Sequence, residues 1–374
     1  MKKVLLCAGR TGGHFFPALA LAQAMLRPAS DFEIHLIVER QDLPFLKSRT
    51  VDDSRLHVHT IPVPSLAKLK SWEFPIRLFH YVAALLQSVA LFIRLKPSLM
   101  VAFGSYSSVP EVLAASFLKV PILLHEQNAV PGQANQFLSY WADRVAVSFK
   151  ETLGWFSLEK VFWSGFPVRR EFLEHEVLKN IHGSGGAGNV ETATPKRFKI
   201  LVVGGSQGAH HLNTSVLHVF KRLSDEERQK FAVTHVTGQS DFNEVQISYL
   251  KLGMDCVTYP FLGDIAQEFK NSDLVIARAG AGTISELAAC GRAAILIPYP
   301  HARAHQKANA FVLSEAKAAR VIDEEKLTAE VLWQEIKTLA ENRPAREILE
   351  QRIKSFFNLN ACELMLTEGM KIVR

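Results

Sequence analysis

Short runs of consecutive apolar residues alternate along this chain with longer stretches in which apolar positions recur every three or four residues. In the first half the runs cover 4–7, 34–38, 57–61, 99–103, 122–125 and 145–148. In the second half they cover 200–203, 232–236, 255–259, 274–277 and 294–297. Continuous apolar runs of strand length suit strands buried on both faces, and the intervening period of 3.6 suits covering helices. The alternation therefore predicts an α/β fold built on doubly wound parallel sheets.

Two of these runs open directly into glycine-rich loops. The first reads Val4-Leu5-Leu6-Cys7-Ala8-Gly9-Arg10-Thr11-Gly12-Gly13-His14, and the second Ile200-Leu201-Val202-Val203-Gly204-Gly205-Ser206-Gln207-Gly208-Ala209. At a strand-to-helix turn, glycines let a ligand approach the backbone, and the open N–H groups of the helix start favour a phosphate. A single short glycine pattern also serves plain strand-to-helix packing. Two in corresponding places predict two Rossmann-like halves, with a ligand in the cleft that they face. We place the boundary near Ser164-Gly165-Phe166-Pro167, where glycine and proline follow the last strand of the first half. The expected parts are 1–164, 165–345, and a final segment 346–374 whose helix packs back on the first domain. The stretch 183–195 is rich in glycine and small polar residues and predicts a surface loop.

A chain of 374 residues accommodates two domains of common size. Hydrophobic residues make up 48% and charged residues 21%, a folded composition. Cys7, Cys256, Cys290 and Cys362 form no C-x-x-C pair, so neither a disulfide framework nor a zinc site is expected, and a reducing cytosol fits. The N-terminus runs straight into a strand, which predicts no signal peptide.

Charge is uneven: residues 1–110 hold 13 basic against 7 acidic residues, the whole of the chain's net +6. Lys68, Lys70, Arg77, Arg94 and Lys96 frame an apolar, aromatic stretch between them. Gln87 and Ser88 interrupt it, and its uninterrupted part falls short of the ~20 residues of a bilayer span. Two readings stand: a buried core helix over 78–95 with solvated ends, or a surface that docks on anionic lipid. Nucleic acid is not expected as a partner, because the cations do not interleave with stacking aromatics.

Six blocks, in order from residue 11 to residue 310, resemble the MurG family. They are Thr11-Gly12-Gly13-His14-Phe15-Phe16-Pro17-Ala18-Leu19, His125-Glu126-Gln127-Asn128-Ala129-Val130-Pro131-Gly132, Pro167-Val168-Arg169, Gly204-Gly205-Ser206-Gln207-Gly208-Ala209, Arg278-Ala279-Gly280-Ala281-Gly282-Thr283-Ile284-Ser285-Glu286, and His305-Gln306 with Asn309-Ala310. The resemblance implies a GT-B fold. It also implies an inverting transferase that moves N-acetylglucosamine from UDP-N-acetylglucosamine to the 4-hydroxyl of a polyprenyl-diphosphate-linked muramyl-pentapeptide, in peptidoglycan synthesis. It implies work at the cytoplasmic face of the inner membrane as a peripheral protein, with no cofactor and no protein-bound metal.

Site roles follow block by block. His14 is the implied general base, since an imidazole titrates near working pH; from the residues alone, a phosphate contact or local packing stands beside that role. Glu126 is placed with it as a catalytic residue or as one that orients the loop or the acceptor. The donor contacts implied are Thr11, Gly12, Gly13, Asn128, Arg169, Ser206, Leu262, Ala281, Gly282, Thr283, Ile284, Ser285, Glu286 and Gln306. The acceptor contacts implied are Arg10, Tyr106 and Asn135. Pro17 suits a first helical turn. Thr283-Ile284-Ser285-Glu286 also matches a capping box, so Glu286 has a structural role to set against the family's ribose contact. His301 and His305 have i,i+4 metal spacing without an evident third ligand.

The chain departs from the family pattern in several places. Arg10 stands where the family usually has glycine, and Gly104-Ser105-Tyr106-Ser107-Ser108-Val109-Pro110 where it has Gly-Gly-Tyr-Val-Ser-Gly-Pro. Phe166 replaces asparagine and Ala304 aspartate. A side chain at a former glycine with φ > 0 costs about 1 kcal/mol or more and reshapes the cradle. The alternatives to the family's reaction are another GT-B UDP-sugar transferase, an epimerase, or a non-catalytic nucleotide-sugar-binding paralogue. A dinucleotide dehydrogenase is disfavoured, since neither loop shows G-x-G-x-x-G.

Overall fold

The computed structural model describes residues 1–9, 12–28, 30–39, 53–63, 74–173, 197–205, 208–300 and 305–373. Lys68, Lys70 and the stretch 183–195 lie outside these residues. The chain divides into two compact units, Met1–Arg169 with Asn360–Arg374, and Arg170–Leu359.

In the first unit β1 (Lys2–Cys7), β2 (Phe32–Ile37), β3 (Leu56–His59), β4 (Leu99–Ala102), β5 (Ile122–Glu126), β6 (Arg144–Val147) and β7 (Val161–Trp163) form one sheet in the order β3-β2-β1-β4-β5-β6-β7. Its pairings are parallel, with Leu5 opposite His35 on one side and Met100 on the other. Successive side chains of a strand point to opposite faces, and both faces are covered. Val4 and Leu6 pack with Phe15, Leu19 and Met25 of helix Gly12–Met25 and with Met365 of helix Ala361–Lys371. Leu5 and Cys7 pack with Ala84, Leu91 and Phe92 of helix Phe74–Leu95 and with Val112 and Ala115 of helix Val109–Phe117.

The second unit repeats this plan with β8 (Phe198–Val203), β9 (Phe231–Val236), β10 (Cys256–Tyr259), β11 (Leu274–Ala277), β12 (Ala294–Leu296) and β13 (Arg320–Val321). Their order is β10-β9-β8-β11-β12-β13. Ile200 and Val202 pack with Leu212, Val216 and Phe220 of helix His210–Arg222 and with Leu332 and Ile336 of helix Ala329–Glu341. In both sheets the first strand lies between the second and the fourth. Chain connections leave it in opposite directions there, and ligands bind at the carboxyl ends of strands at such a point.

The eleven apolar runs expected as strands are all strands, within one or two residues at their ends. The sheets also contain β7 and β13, which no apolar run announced because they are three and two residues long. Pro17 falls inside helix Gly12–Met25 rather than in its first turn.

Helix Phe74–Leu95 departs most from expectation. It is 22 residues long, and its segment Ile76–Leu95, with mean hydropathy 1.7, is long and apolar enough to cross a bilayer. Ser88 does not break the stripe, because its hydroxyl donates to the Ala84 carbonyl (2.9 Å) one turn back, satisfying itself inside the helix. The helix is also not a buried core helix. Ala84, Ser88, Leu91 and Leu95 are buried at helical spacing, while Phe79 (71% exposed), Leu86 (64%) and Ile93 (58%) form a second apolar stripe that faces solvent.

Candidate functional site

Helix Gly12–Met25 starts at the carboxyl end of β1 with no acidic residue in its first turn, which keeps the open amides and positive dipole end available to an anion. Arg10 and Thr11 lie outside the described residues; Gly13 is exposed and Gly12 half-buried. His14, in the first turn of the helix, sends Nδ1 across to the carbonyl at the end of β4, Phe103 O, at 2.6 Å. A carbonyl only accepts, so Nδ1 carries the proton and Nε2 is the basic nitrogen of the neutral ring. The Gln127 amide donates to the same carbonyl at 2.6 Å and to His125 Nδ1 at 3.2 Å. Burial pushes the His125 imidazole down to about 3, so it stays neutral and sets no cation beside His14.

Glu126, at the end of β5, is buried. One of its oxygens accepts from Asn128 N (2.8 Å) and Asn128 Nδ2 (3.2 Å), and the other from Gly132 N (3.1 Å) and Asn135 Nδ2 (2.8 Å). Burial pushes this carboxyl up, while the four donors favour the anion. The geometry gives Glu126 a positioning role: it knits the loop 126–135 that presents half-buried Asn128.

Asn135, expected on the acceptor, is 2% exposed and also donates to His125 O at 3.2 Å. It lies beneath Gly104, whose added Cβ would come 2.3 Å from Asn135 Oδ1. Its side chain is taken up by the loop it supports. Tyr106 opens the 3-10 turn Tyr106–Ser108, half-buried, with its hydroxyl donating to Gln133 Oε1 at 3.2 Å.

Between Gly104 (φ 85°) and Tyr106, Ser105 has φ 77° and ψ 154°. That backbone region belongs almost entirely to glycine, and holding another residue there costs about 1–3 kcal/mol. Phe166 is buried, its ring 6.0 Å from that of His125. Arg169 is buried in this same unit, with its guanidinium 4.6 Å over the Phe16 ring.

In the second unit the corresponding turn runs from β8 through Gly204, Gly205 (φ 90°) and Gly208 (φ 79°) to helix His210–Arg222; Ser206 lies outside the described residues. A Cβ on Gly208 would meet Thr237 O at 2.7 Å, so the turn tolerates no side chain there. The turn after β11 is different: helix Ala281–Cys290 starts from Gly280, with no side-chain cap and no acid in its first turn. The capping box expected over Thr283-Ile284-Ser285-Glu286 is not formed, because the helix begins two residues before Thr283. Its first bond, Ile284 N to Gly280 O (2.9 Å), already places Thr283 inside. Ile284 is buried, and Ser285 donates to Ala281 O (2.8 Å), so these two expected donor contacts face inward. Gly282, Thr283 and Glu286 stay half-buried, while Ala281 is buried and offers its amide.

Asn309 Nδ2 donates to Ala279 O at 3.1 Å and fixes the entry to that helix. Gln306 Oε1 accepts from Tyr299 N at 2.9 Å, and half-buried Leu262 lies in the loop after β10. His305 begins helix His305–Glu315, whereas His301 lies outside the described residues.

A buried network that no motif announced supports the β8 turn from below. The Tyr249 hydroxyl donates to His235 Nδ1 (3.0 Å), His235 Nε2 to Asn213 Oδ1 (3.0 Å), and Asn213 Nδ2 to both Thr237 O and Asp241 Oδ2 (2.8 Å each). His210 Nδ1 completes it, 3.1 Å from Asp241 Oδ2. Burial pushes His235 down to about 3, so it is neutral, with its Nε2 proton on Asn213. No periodicity in β9 distinguishes a histidine with buried partners from one on a surface.

Residues 4–147 match the model of the glycosyltransferase family 28 N-terminal domain, and residues 199–363 that of its C-terminal domain. Among curated relatives, one from Geobacter metallireducens is 32% identical over 98% of both chains. Another, from Agrobacterium fabrum, is 36% identical over 88% of this chain and 83% of its own. Both are named UDP-N-acetylglucosamine–N-acetylmuramyl-(pentapeptide) pyrophosphoryl-undecaprenol N-acetylglucosamine transferase. Among solved structures, MurG of Acinetobacter baumannii matches all of this chain and all of its own, with a TM-score of 0.73 and 28% identity. A UDP complex of Staphylococcus aureus MnaA, 13% identical with a TM-score of 0.68 over 98% of this chain and 95% of its own, shares the fold.

Proposed function

The chain belongs to the MurG family within glycosyltransferase family 28, and we propose that it transfers N-acetylglucosamine from UDP-N-acetylglucosamine to the 4-hydroxyl of a polyprenyl-diphosphate-linked muramyl-pentapeptide. The observation that carries this reading is His14, in the first turn of helix Gly12–Met25, with Nδ1 committed to Phe103 O at 2.6 Å. That bond sets the tautomer in which Nε2 takes a proton from a hydroxyl.

The acceptor hydroxyl, losing its proton to His14, attacks the anomeric carbon from the face opposite UDP, so that configuration inverts. Glu126 and Asn135 act as positioning residues that hold the Asn128 loop and Gly104. In the second unit, the amides at Gly282 and Thr283 and the helix dipole stabilise the departing diphosphate. The Glu286 carboxylate, outside any capping box, receives the ribose hydroxyls. Arg169, stacked on Phe16 in the first unit, adds a cation on the acceptor side of the reaction. No observation favours an epimerase or a silent paralogue over transfer.

The solvent-facing stripe of Phe79, Leu86 and Ile93 on helix Phe74–Leu95, with Arg94 and Lys96 at its end, supports docking on the anionic cytoplasmic face of the inner membrane. Isolated apolar side chains are common on surfaces; a stripe of this length bordered by cations suits a lipid interface. The docking would bring the first unit to its lipid-linked acceptor.

The test is UDP release from UDP-N-acetylglucosamine with and without a short-chain polyprenyl-diphosphoryl-muramyl-pentapeptide, followed together with formation of the lipid-linked disaccharide. Acceptor-dependent release is the expected result. Saturable donor binding without turnover would instead support the silent paralogue. Sedimentation with anionic vesicles, lost on Phe79→Ser with Leu86→Ser, tests the membrane surface separately.

A further inference from the structure

The second unit has a cavity of 720 Å³ at the amino ends of β8, β9 and β11, the end of the sheet opposite the two turns assigned to the donor. That volume is ordinary for a small-molecule site. Helices Ala329–Glu341 and Arg343–Ile353 flank it. Phe231, buried at the start of β9, forms its floor. The half-buried rings of Phe198 and Trp333 each meet Phe231 edge to face, with centroids at 6.1 and 5.8 Å.

Two groups of cations border these rings. Lys337 stands one turn from Trp333 on the same helix face, and Lys230 directly precedes Phe231. Neither ammonium is in an ion pair among the described residues. After the bonds with Ser224, both of them help to hold the Glu227 carboxyl below its usual range, so the two lie near one point. The second group is Arg292 and Arg346, both beside Glu350, whose carboxyl burial pushes up. The Arg346 guanidinium lies 5.0 Å over the Phe198 ring and donates to Leu339 O at 2.6 Å. Arg292 Nη2 donates to Lys270 O, but its Nε is buried and meets no acceptor. A buried donor in that state calls for a partner. Among the acids of the walls, Asp273 receives Lys199 N (2.9 Å), Glu227 receives Ser224 N (2.9 Å) and Glu347 pairs with Arg343 (2.8 Å). That leaves Glu341 and Glu350 to set against Lys230, Lys337, Arg292 and Arg346, an excess of positive charge.

We propose that this cavity is a second ligand site, which binds a nucleoside phosphate with its base on the Phe231 and Trp333 rings, its phosphate between Lys230 and Lys337, and the acceptor edge of its base at Arg292. Each part of such a molecule meets a group of the matching kind. Aromatic rings stack on any base, ammonium groups take a phosphate as point charges, and a guanidinium fork fits paired acceptors such as N7 and O6 of guanine. Inorganic phosphate would leave the rings unused, and an uncharged aromatic would leave the lysines unused.

The probe is guanosine 5′-monophosphate, titrated by calorimetry into the full chain with UDP in excess, beside guanosine and inorganic phosphate in separate arms. One site per chain is expected, with each fragment bound at least about tenfold more weakly than the nucleotide. Lys230→Ala combined with Lys337→Ala should weaken binding about tenfold. Its melting temperature should stay that of the wild type, since neither ammonium is paired in the fold. Absence of binding, unchanged affinity in the double variant, or displacement by UDP would each overturn the proposal. Phosphate binding as tight as that of the nucleotide would also overturn it, by reducing the cavity to an anion patch. Sugar transfer by the double variant should equal that of the wild type, so a failure here leaves the transferase reading standing.

Discussion

The two switch points share one strand order and solve different chemical problems. At the carboxyl ends of β1 and β4, side chains dominate: His14 bonded to Phe103 O, neutral His125, the buried Glu126 carboxyl with four donors, and Ser105 in a glycine-like conformation. At the ends of β8 and β11, backbone dominates: two glycines with positive φ, and a helix that begins at Ala281 without a side-chain cap or an acid. A proton acceptor needs a lone pair of defined tautomer. A diphosphate needs converging N–H groups that carry no negative charge. The same strand order therefore presents polar side chains at one switch point and open backbone amides at the other.

Removing the base is the sharpest way to break this contrast. His14→Ala should lower kcat by about 10²–10⁴ and leave the calorimetric affinity for UDP where it was. A parallel loss of UDP affinity would mean that His14 serves the donor. Next in size, Glu126→Ala strands buried donors from Asn128, Gly132 and Asn135 and should cost about 3 kcal/mol in denaturant unfolding of the first unit. An equal loss in the second unit would contradict the local role.

Acidity acts on both units. His125 and His235 have folded pKa values of about 3, below an unfolded value near 6.5. The unfolded chain therefore binds more protons between these values, and stability present above pH 6.5 is lost as pH falls toward 3. Each group contributes a slope of at most about 1.4 kcal/mol per pH unit. Glu111, buried in the first unit, runs the other way: burial pushes its carboxyl up to about 8. The folded state then holds the extra proton, and stability is lost as pH rises from about 4.5 to 8. Unfolding followed from pH 4 to 9 should show this alkaline weakening in the first unit, and Glu111→Gln should reduce it. The smallest effect is expected at Glu286: Glu286→Gln should weaken UDP binding about tenfold, close to 1.4 kcal/mol, with acceptor KM unchanged.

Much of the fold was legible before any coordinates. The apolar runs that became β1 to β6 and β8 to β12 are periodic, and periodicity is a local property that survives without knowledge of neighbours. Strands of two or three residues, β13 and β7, carry too few positions for a period to show. Ser88 looked like a break in the apolar stretch because its type is polar; inside a helix its hydroxyl finds the carbonyl four residues back and ceases to count as polar.

The site divides in the same way. The two glycine loops, His14, Glu126 and the segment from Arg278 to Glu286 were visible as residue types at short spacings, together with the family that they resemble. Sequence alone thus determined the strand alternation, the doubling of the glycine loops and the family. Only the tertiary structure decided that Glu126 holds a loop, that Asn135 lies under Gly104, that Thr283 and Glu286 form no cap, and that Ser105 sits at φ 77°. Hydrogen-bond partners and backbone strain depend on which distant residues the packing brings within about 3 Å, and no local pattern encodes that.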